Sequence, residues 1–182
     1  MEFKEINIGK HNDLGEGEMK KIDVEGNDTD DYLGTAFITA PLGRILNGNT
    51  TGSNVISGKV WLFATGDVGA KGNPLTTEAE KIEGRSTLGS IFIDNHGALE
   101  VGGVTDPNSG GPSSGEGNPT DGGMQSAQQL EISTTSPITI ASNVSAGGDI
   151  LIWAHDDGND TPPAGDPDDL TIAAGFTVAS TG

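Results

Sequence analysis

"SAGGDILIWA", residues 145–154, sets two glycines and an aspartate directly before a run in which Ile150, Ile152 and Ala154 alternate with Leu151 and Trp153. Glycines ahead of an apolar run suit a phosphate-cradling loop, but such a loop opens a helix and usually offers a lysine. Here a period of two follows, and the next polar side chain is that of Asp149. A sharp corner leading into a strand explains the glycines better.

Two further segments repeat the arrangement without gaps: "SGKVWLFAT" from 57 and "LGSIFIDNH" from 88, beside "GGDILIWAH" from 147. Each sets a glycine (Gly58, Gly89, Gly148) before a polar residue (Lys59, Ser90, Asp149). Aliphatic residues follow at the next position and two later: Val60 and Leu62, Ile91 and Ile93, Ile150 and Ile152. The glycines lie 31 and 59 residues apart, so one copy belongs in the second interval. "LEISTTSPITIAS", 130–142, supplies it with Leu130 and Ile132, then Ile138 and Ile140. A second, shorter strand follows two of the copies, in "GALEVGGV" from 97 and "DLTIAAGFTVAS" from 169.

A unit of two or three strands repeated every 20 to 30 residues is the pattern of a β-solenoid, whose coils bury their inward side chains against one another. The expected fold class is therefore all-β, a parallel β-helix with long Gly/Pro-rich loop insertions. Val60, Leu62, Ile91, Ile93, Ile150 and Ile152 stack inward in this scheme, and Trp61, Phe92, Leu151 and Trp153 point outward. Outward aromatics of this kind more often lie under a loop or at a cap than on a binding face. The insertions are the loop at about 103–123, in "GGVTDPNSGGPSSGEGNPTDGG" from 102 to 123, and "HDDGNDTPPAGDPDD" at 155–169, both too rich in Gly, Pro and polar residues to pack. Residues 1–31 read as a separate polar hairpin or cap, with "EGNDTDD" at 25–31 as the boundary and 32–182 as the coils. A helical period surfaces only around "TTEAEKIEG", 76–84.

The composition narrows the function. With 27 Asp and Glu against 9 Lys and Arg, the formal charge of -18 repels nucleic acid and anionic lipid. No apolar run approaches the roughly 20 residues of a membrane-spanning helix. Without cysteine there are no disulfides, thiolate metal sites or thiol nucleophiles. The N-terminal stretch has no apolar core of the kind a secretory signal needs.

Catalytic constellations are thin. His11, His96 and His155 stand in polar or loop contexts with no nucleophile motif beside them, and Arg44 and Arg85 alone would supply a lyase site poorly. The expectation is that the chain is not an enzyme and carries no catalytic or cofactor-binding residues. The one stretch with metal-ligand chemistry is the acidic loop, where Asp156, Asp157, Asn159 and Asp160 offer the oxygens calcium prefers. It lacks the ligand spacing and terminal glutamate of an EF-hand, so calcium is a weak candidate beside a merely solvated loop.

Residues 55–182, through "GDVGAKGNPLTTEAEKIEG", "GSIFIDNHGALEVGGV", "SPITIASNVSAGGDILIWA" and "DLTIAAGFTVAS", resemble the repeat region of filamentous-haemagglutinin-like bacterial surface adhesins and exoproteins. The resemblance implies a right-handed parallel β-helix, secreted or at the cell surface, that works by adhesion. Its partners would be a host or environmental glycan or protein surface, with self-association through the solenoid ends. The family's secretion module is not seen and the chain stops in mid-pattern, as a fragment of a longer protein would. The alternatives are a polysaccharide-acting β-helix enzyme and a passive stalk spacer.

Overall fold

The computed structural model describes residues 34–104, 123–155 and 169–182, together with the short strands β1 (Lys21–Ile22) and β2 (Asp28–Thr29). Most of both expected insertions, the calcium candidates Asp156, Asp157, Asn159 and Asp160, and His11 lie outside the described residues. β1 and β2 pair antiparallel, Lys21 with Thr29 and Ile22 with Asp28.

No helix occurs among the described residues. Twelve strands form one assembly: β3 (Thr35–Ala40), β4 (Val55–Ala64), β5 (Leu75–Ser86), β6 (Ile91–Asn95), β7 (Leu99–Val101), β8 (Met124–Ser126), β9 (Leu130–Thr134), β10 (Ile138–Ile140), β11 (Val144–Ala146), β12 (Ile150–Ala154), β13 (Leu170–Ile172) and β14 (Val178–Ser180). Every strand pairing in it is parallel.

The pairings sort into three ladders. β6, β9 and β12 make ladder A, joined by the first residues of β5. β7, β10 and β13 make ladder B on the middle of β5, and β8, β11 and β14 make ladder C on its end. The chain therefore visits A, B and C in turn, as in a solenoid. β4 and β5 run through all three ladders without interruption.

Ile91, Leu130 and Ile150 form one rung, as do Ile93, Ile132 and Ile152. The copy expected at 130–134 is thus the middle member of ladder A. "SGKVWLFAT" takes a different place: Val60 pairs with Ile82 and Leu62 with Gly84, on ladders B and C. All three faces bury alternate residues, so a gapless match identifies a strand entering from a corner and not the face it belongs to.

Corners also account for the helical spacing at 76–84. Along β5 the inward positions run Leu75, Thr77, Ala79 and then Ile82, Gly84, Ser86, all buried. The step of three at the bend resembles a helix in the sequence, and Ser57 to Val60 in β4 repeats it.

Val60, Leu62, Ile82, Ile91, Ile132, Ile138 and Ile140 are fully excluded from solvent. A narrow interior filled by a few aliphatic residues per turn is how a chain with 32% hydrophobic residues still builds a core. In the last turn β12, β13 and β14 each pair on one side only, and Leu170 and Ile172 are 42% and 49% exposed.

The bends are held by polar side chains. Thr77, Asn95 and Thr134 stack in register, all 0% exposed. Asn95 Oδ1 accepts from Thr77 Oγ1 at 2.7 Å and from the Ala79 N–H at 2.9 Å, while Nδ2 donates to the carbonyls of Ala79, His96 and Gly97. Between ladders C and A, Ser86 Oγ donates to the Gly66 carbonyl at 2.8 Å, and Ser180 Oγ to that of Gly148 at 2.7 Å.

Neighbouring turns also crowd at this second bend. A Cβ on Gly147 would stand 2.1 Å from the Ala127 carbonyl oxygen, and one on Gly89 would stand 2.6 Å from the Asp67 backbone nitrogen. Gly89→Ala is expected to cost about 1–3 kcal/mol, the usual range for overpacking, in urea unfolding followed by circular dichroism. An unchanged midpoint would show that the turns are not this close.

Candidate functional site

The outer side of ladder A carries the most open chemistry. Alternation directs Phe92 and Asp94 of β6, Glu131 and Ser133 of β9, and Leu151 and Trp153 of β12 outward. The parallel register places Phe92, Glu131 and Leu151 in one column and Asp94, Ser133 and Trp153 in the next. Ser133 Oγ donates to Asp94 Oδ1 at 2.9 Å, tying two turns together on the surface.

An excursion of the backbone forms one wall. Val68 pairs with Ile91 and Leu75 with Ile93, so residues 69–74 loop out opposite the single residue Phe92. Reciprocal bonds of 3.0 and 2.9 Å between Ala70 and Asn73 tighten the loop, and the Phe92 N–H donates to the Val68 carbonyl at 2.8 Å. Phe92 is left only 7% exposed although it points outward.

Beside it lies a recess of about 180 Å³, bordered by Lys71, Phe92, Gln129, Glu131, Asp149 and Leu151. One step further along β12, Trp153 is 53% exposed and stacks on His155, with centroids 4.0 Å apart and planes 24° off parallel. The recess thus offers an apolar floor, two carboxylates, an amide and an ammonium group. A solvent-facing aromatic pair adjoins it.

A second outward array covers β3, β4 and β5. Register sets Phe37 beside Trp61 and Trp61 beside Glu83, with Lys59 and Lys81 on one flank and Phe63 and Arg85 on the other. Trp61 stacks on Phe63 at 6.1 Å and meets Phe37 at 6.2 Å. Within this array Phe63 is 8% and Glu83 4% exposed, while Trp61 and Phe37 are partly buried. The Val104 N–H donates to Glu83 Oε1 at 3.4 Å, and the amides of Gly123 and Gly103 also reach the carboxylate. These residues flank the 105–122 segment, so Glu83 binds its two ends to the coil. Lys81 pairs with Glu100 at 2.7 Å, a partly exposed contact that contributes under about 1 kcal/mol.

Burial removes Glu83 from water and raises its pKa above the ordinary value, against the opposing effect of the amide donors. Between the unfolded and folded pKa values the folded chain then holds more protons than the unfolded one. The contribution to stability is fully present below the unfolded value, about 4.3, and is lost as pH rises through the folded one. Glu83→Gln has no charge to bury, so its urea midpoint relative to wild type should be higher at pH 7 than at pH 4. A difference that stays constant with pH would contradict the desolvation.

The structure does not gather the other candidates. His96 is exposed, His155 lies against Trp153, Arg44 is in the exposed turn before Ile45, and Arg85 is on β5. Among the described residues no three His, Asp or Glu converge to hold a metal ion. No described helix is long and apolar enough to cross a membrane. The recess residues Lys71, Gln129 and Glu131 were not singled out from the sequence. The signal was there in "VGAKGNPL", where Val68 and Leu75 are both core residues and the Gly, Asn and Pro between them mark a loop.

No family model, curated protein or solved structure matches the chain.

Proposed function

We propose that the chain is a non-enzymatic structural and adhesive module of a secreted or cell-surface exoprotein, coiled as a right-handed parallel β-helix. The insertions at about 103–123 and 155–169 provide variable contacts. The observation that carries this reading is the outer side of ladder A, where a recess and an exposed Trp153–His155 pair stand on a scaffold whose inward residues are consumed by packing. Self-association through the solenoid ends belongs to the same proposal. The test is retention of the purified chain on immobilised glycans and host surface proteins. Retention with the captured molecule unaltered fits an adhesin, and no retention on any surface fits a stalk spacer instead.

One observation favours an enzyme acting on polysaccharide: Glu131 and Asp149 both border the recess, and glycoside hydrolysis works through paired carboxylates. Release of shortened sugars, lost in Glu131→Gln, would establish that reading over the adhesive one.

A further inference from the structure

Three features compete: the open last turn, the array around Trp61, and the recess on ladder A. The open turn exposes Leu170, Ile172 and Phe176, but nothing in the structure says what covers it. In the Trp61 array Glu83 is buried and its carboxylate is already taken up by backbone amides, and the array borders no described recess. The recess is open, polar on its borders and apolar on its floor.

Resting on the adhesive reading of this face, we infer that the recess binds one ring of a neutral glycan chain and that Trp153 stacks against an adjacent ring. The chemistry of the walls selects this ligand. Glu131 and Asp149 supply carboxylate oxygens, which accept charge-assisted hydrogen bonds from sugar hydroxyls. Gln129 can both donate and accept, and Lys71 on the excursion donates.

Leu151, 46% exposed, meets the C–H surface of a ring, as does the half-exposed indole of Trp153, an amphipathic aromatic of the kind enriched at recognition sites, while the covered Phe92 backs the recess. Glu131, Leu151 and Trp153 already sit on packed strands in fixed register, so these side chains lose little ordering entropy on binding.

Charge excludes the acidic alternatives. A uronic-acid or sulfated chain would approach a protein of net charge -18 and meet Asp94, Glu131 and Asp149 on this face, with Lys71 the single cation at the recess. A neutral chain meets no such barrier. Outward positions two apart on a strand are separated by about 6.6 Å, so the recess and Trp153 lie close enough for consecutive rings of one chain.

The chain has two tryptophans, so Trp61→Phe leaves Trp153 as the only indole reporter. This variant is titrated with neutral hexasaccharides (β-1,4-glucan, β-1,3-glucan and β-1,4-xylan), with hexagalacturonate, and with the glucosamine hexamer. The ligand is recovered and sized afterwards. The expected result is a saturable change in Trp153 emission with at least one neutral hexamer and none with hexagalacturonate. Trp153→Ala, read by calorimetry in the otherwise native chain, should weaken binding about tenfold or more.

Binding of the acidic hexamer alone, or of the cationic hexamer alone, would overturn the inference. So would neutral binding that Trp153→Ala leaves unchanged. No binding to any sugar overturns it too, while retention on a protein surface would keep the adhesive reading intact. Neutral binding with a shortened ligand supports the inference and sinks the non-enzymatic reading.

Discussion

Ile132→Ala should lower the unfolding free energy by about 3–4 kcal/mol, as truncation of a fully buried aliphatic does when the site cannot collapse. Ile132 is 0% exposed and stands between Ile93 and Ile152 in the middle of ladder A. Each turn of a solenoid packs only on its neighbours, so a cavity there loosens contacts on both sides at once. Hydrogen-bonded rungs above and below fix the backbone, which limits relaxation into the void. The comparison is Ile172→Ala in the last turn, where the side chain is already 49% exposed. That change should cost under about 1 kcal/mol, since little apolar area is lost from burial. Urea unfolding followed at 218 nm reads both, and equal costs would show that Ile132 is not an interior rung.

Asn95→Ala should cost about 3 kcal/mol. The deleted amide leaves the Ala79 N–H and the Thr77 hydroxyl without their shared acceptor in a place that water does not reach. Each orphaned buried group costs about 1–3 kcal/mol. It also removes the donor that holds the carbonyls of Ala79 and Gly97 at the bend between ladders A and B. A loss below about 1 kcal/mol in the same unfolding assay would mean that the bend is held by the backbone alone.

Much of the fold is visible in alternation. Ile91, Ile93, Ile150 and Ile152 could be placed inward because their neighbours Phe92, Leu151 and Trp153 fall on the opposite phase, and the interval between Gly89 and Gly148 required the copy found at Leu130 and Ile132. Alternation is blind to which ladder a strand joins. Val60 and Leu62 share the pattern of Ile91 and Ile93 and stack instead on Ile82 and Gly84, beyond the bend between ladders A and B where β4 and β5 reset the phase by a step of three.

The candidate site was only half legible. Trp153 announced itself as an outward aromatic, whereas Lys71 and Glu131 meet only when three separated segments come into register. Phe92 points outward as expected and is nonetheless covered, because residues 69–74 loop out beside it. Nothing in the sequence around Glu83 marks its carboxylate as buried. Its burial depends on amides from Gly103, Val104 and Gly123, far from it in sequence.

The face exists only if β6 and β9 are parallel neighbours in this register, and a disulfide tests that directly. The chain has no cysteine, so Asp94→Cys with Ser133→Cys introduces one defined pair at two surface positions that face each other across adjacent turns. Neighbouring strands lie about 4.8 Å apart, within the span a disulfide bridges. Mild oxidation should give an intramolecular crosslink in nearly all molecules, with the β-sheet circular dichroism of the parent retained. Thiols that stay free, or crosslinks formed only between molecules, would contradict the stacking of Ile91–Asn95 on Leu130–Thr134 and the binding face built on it.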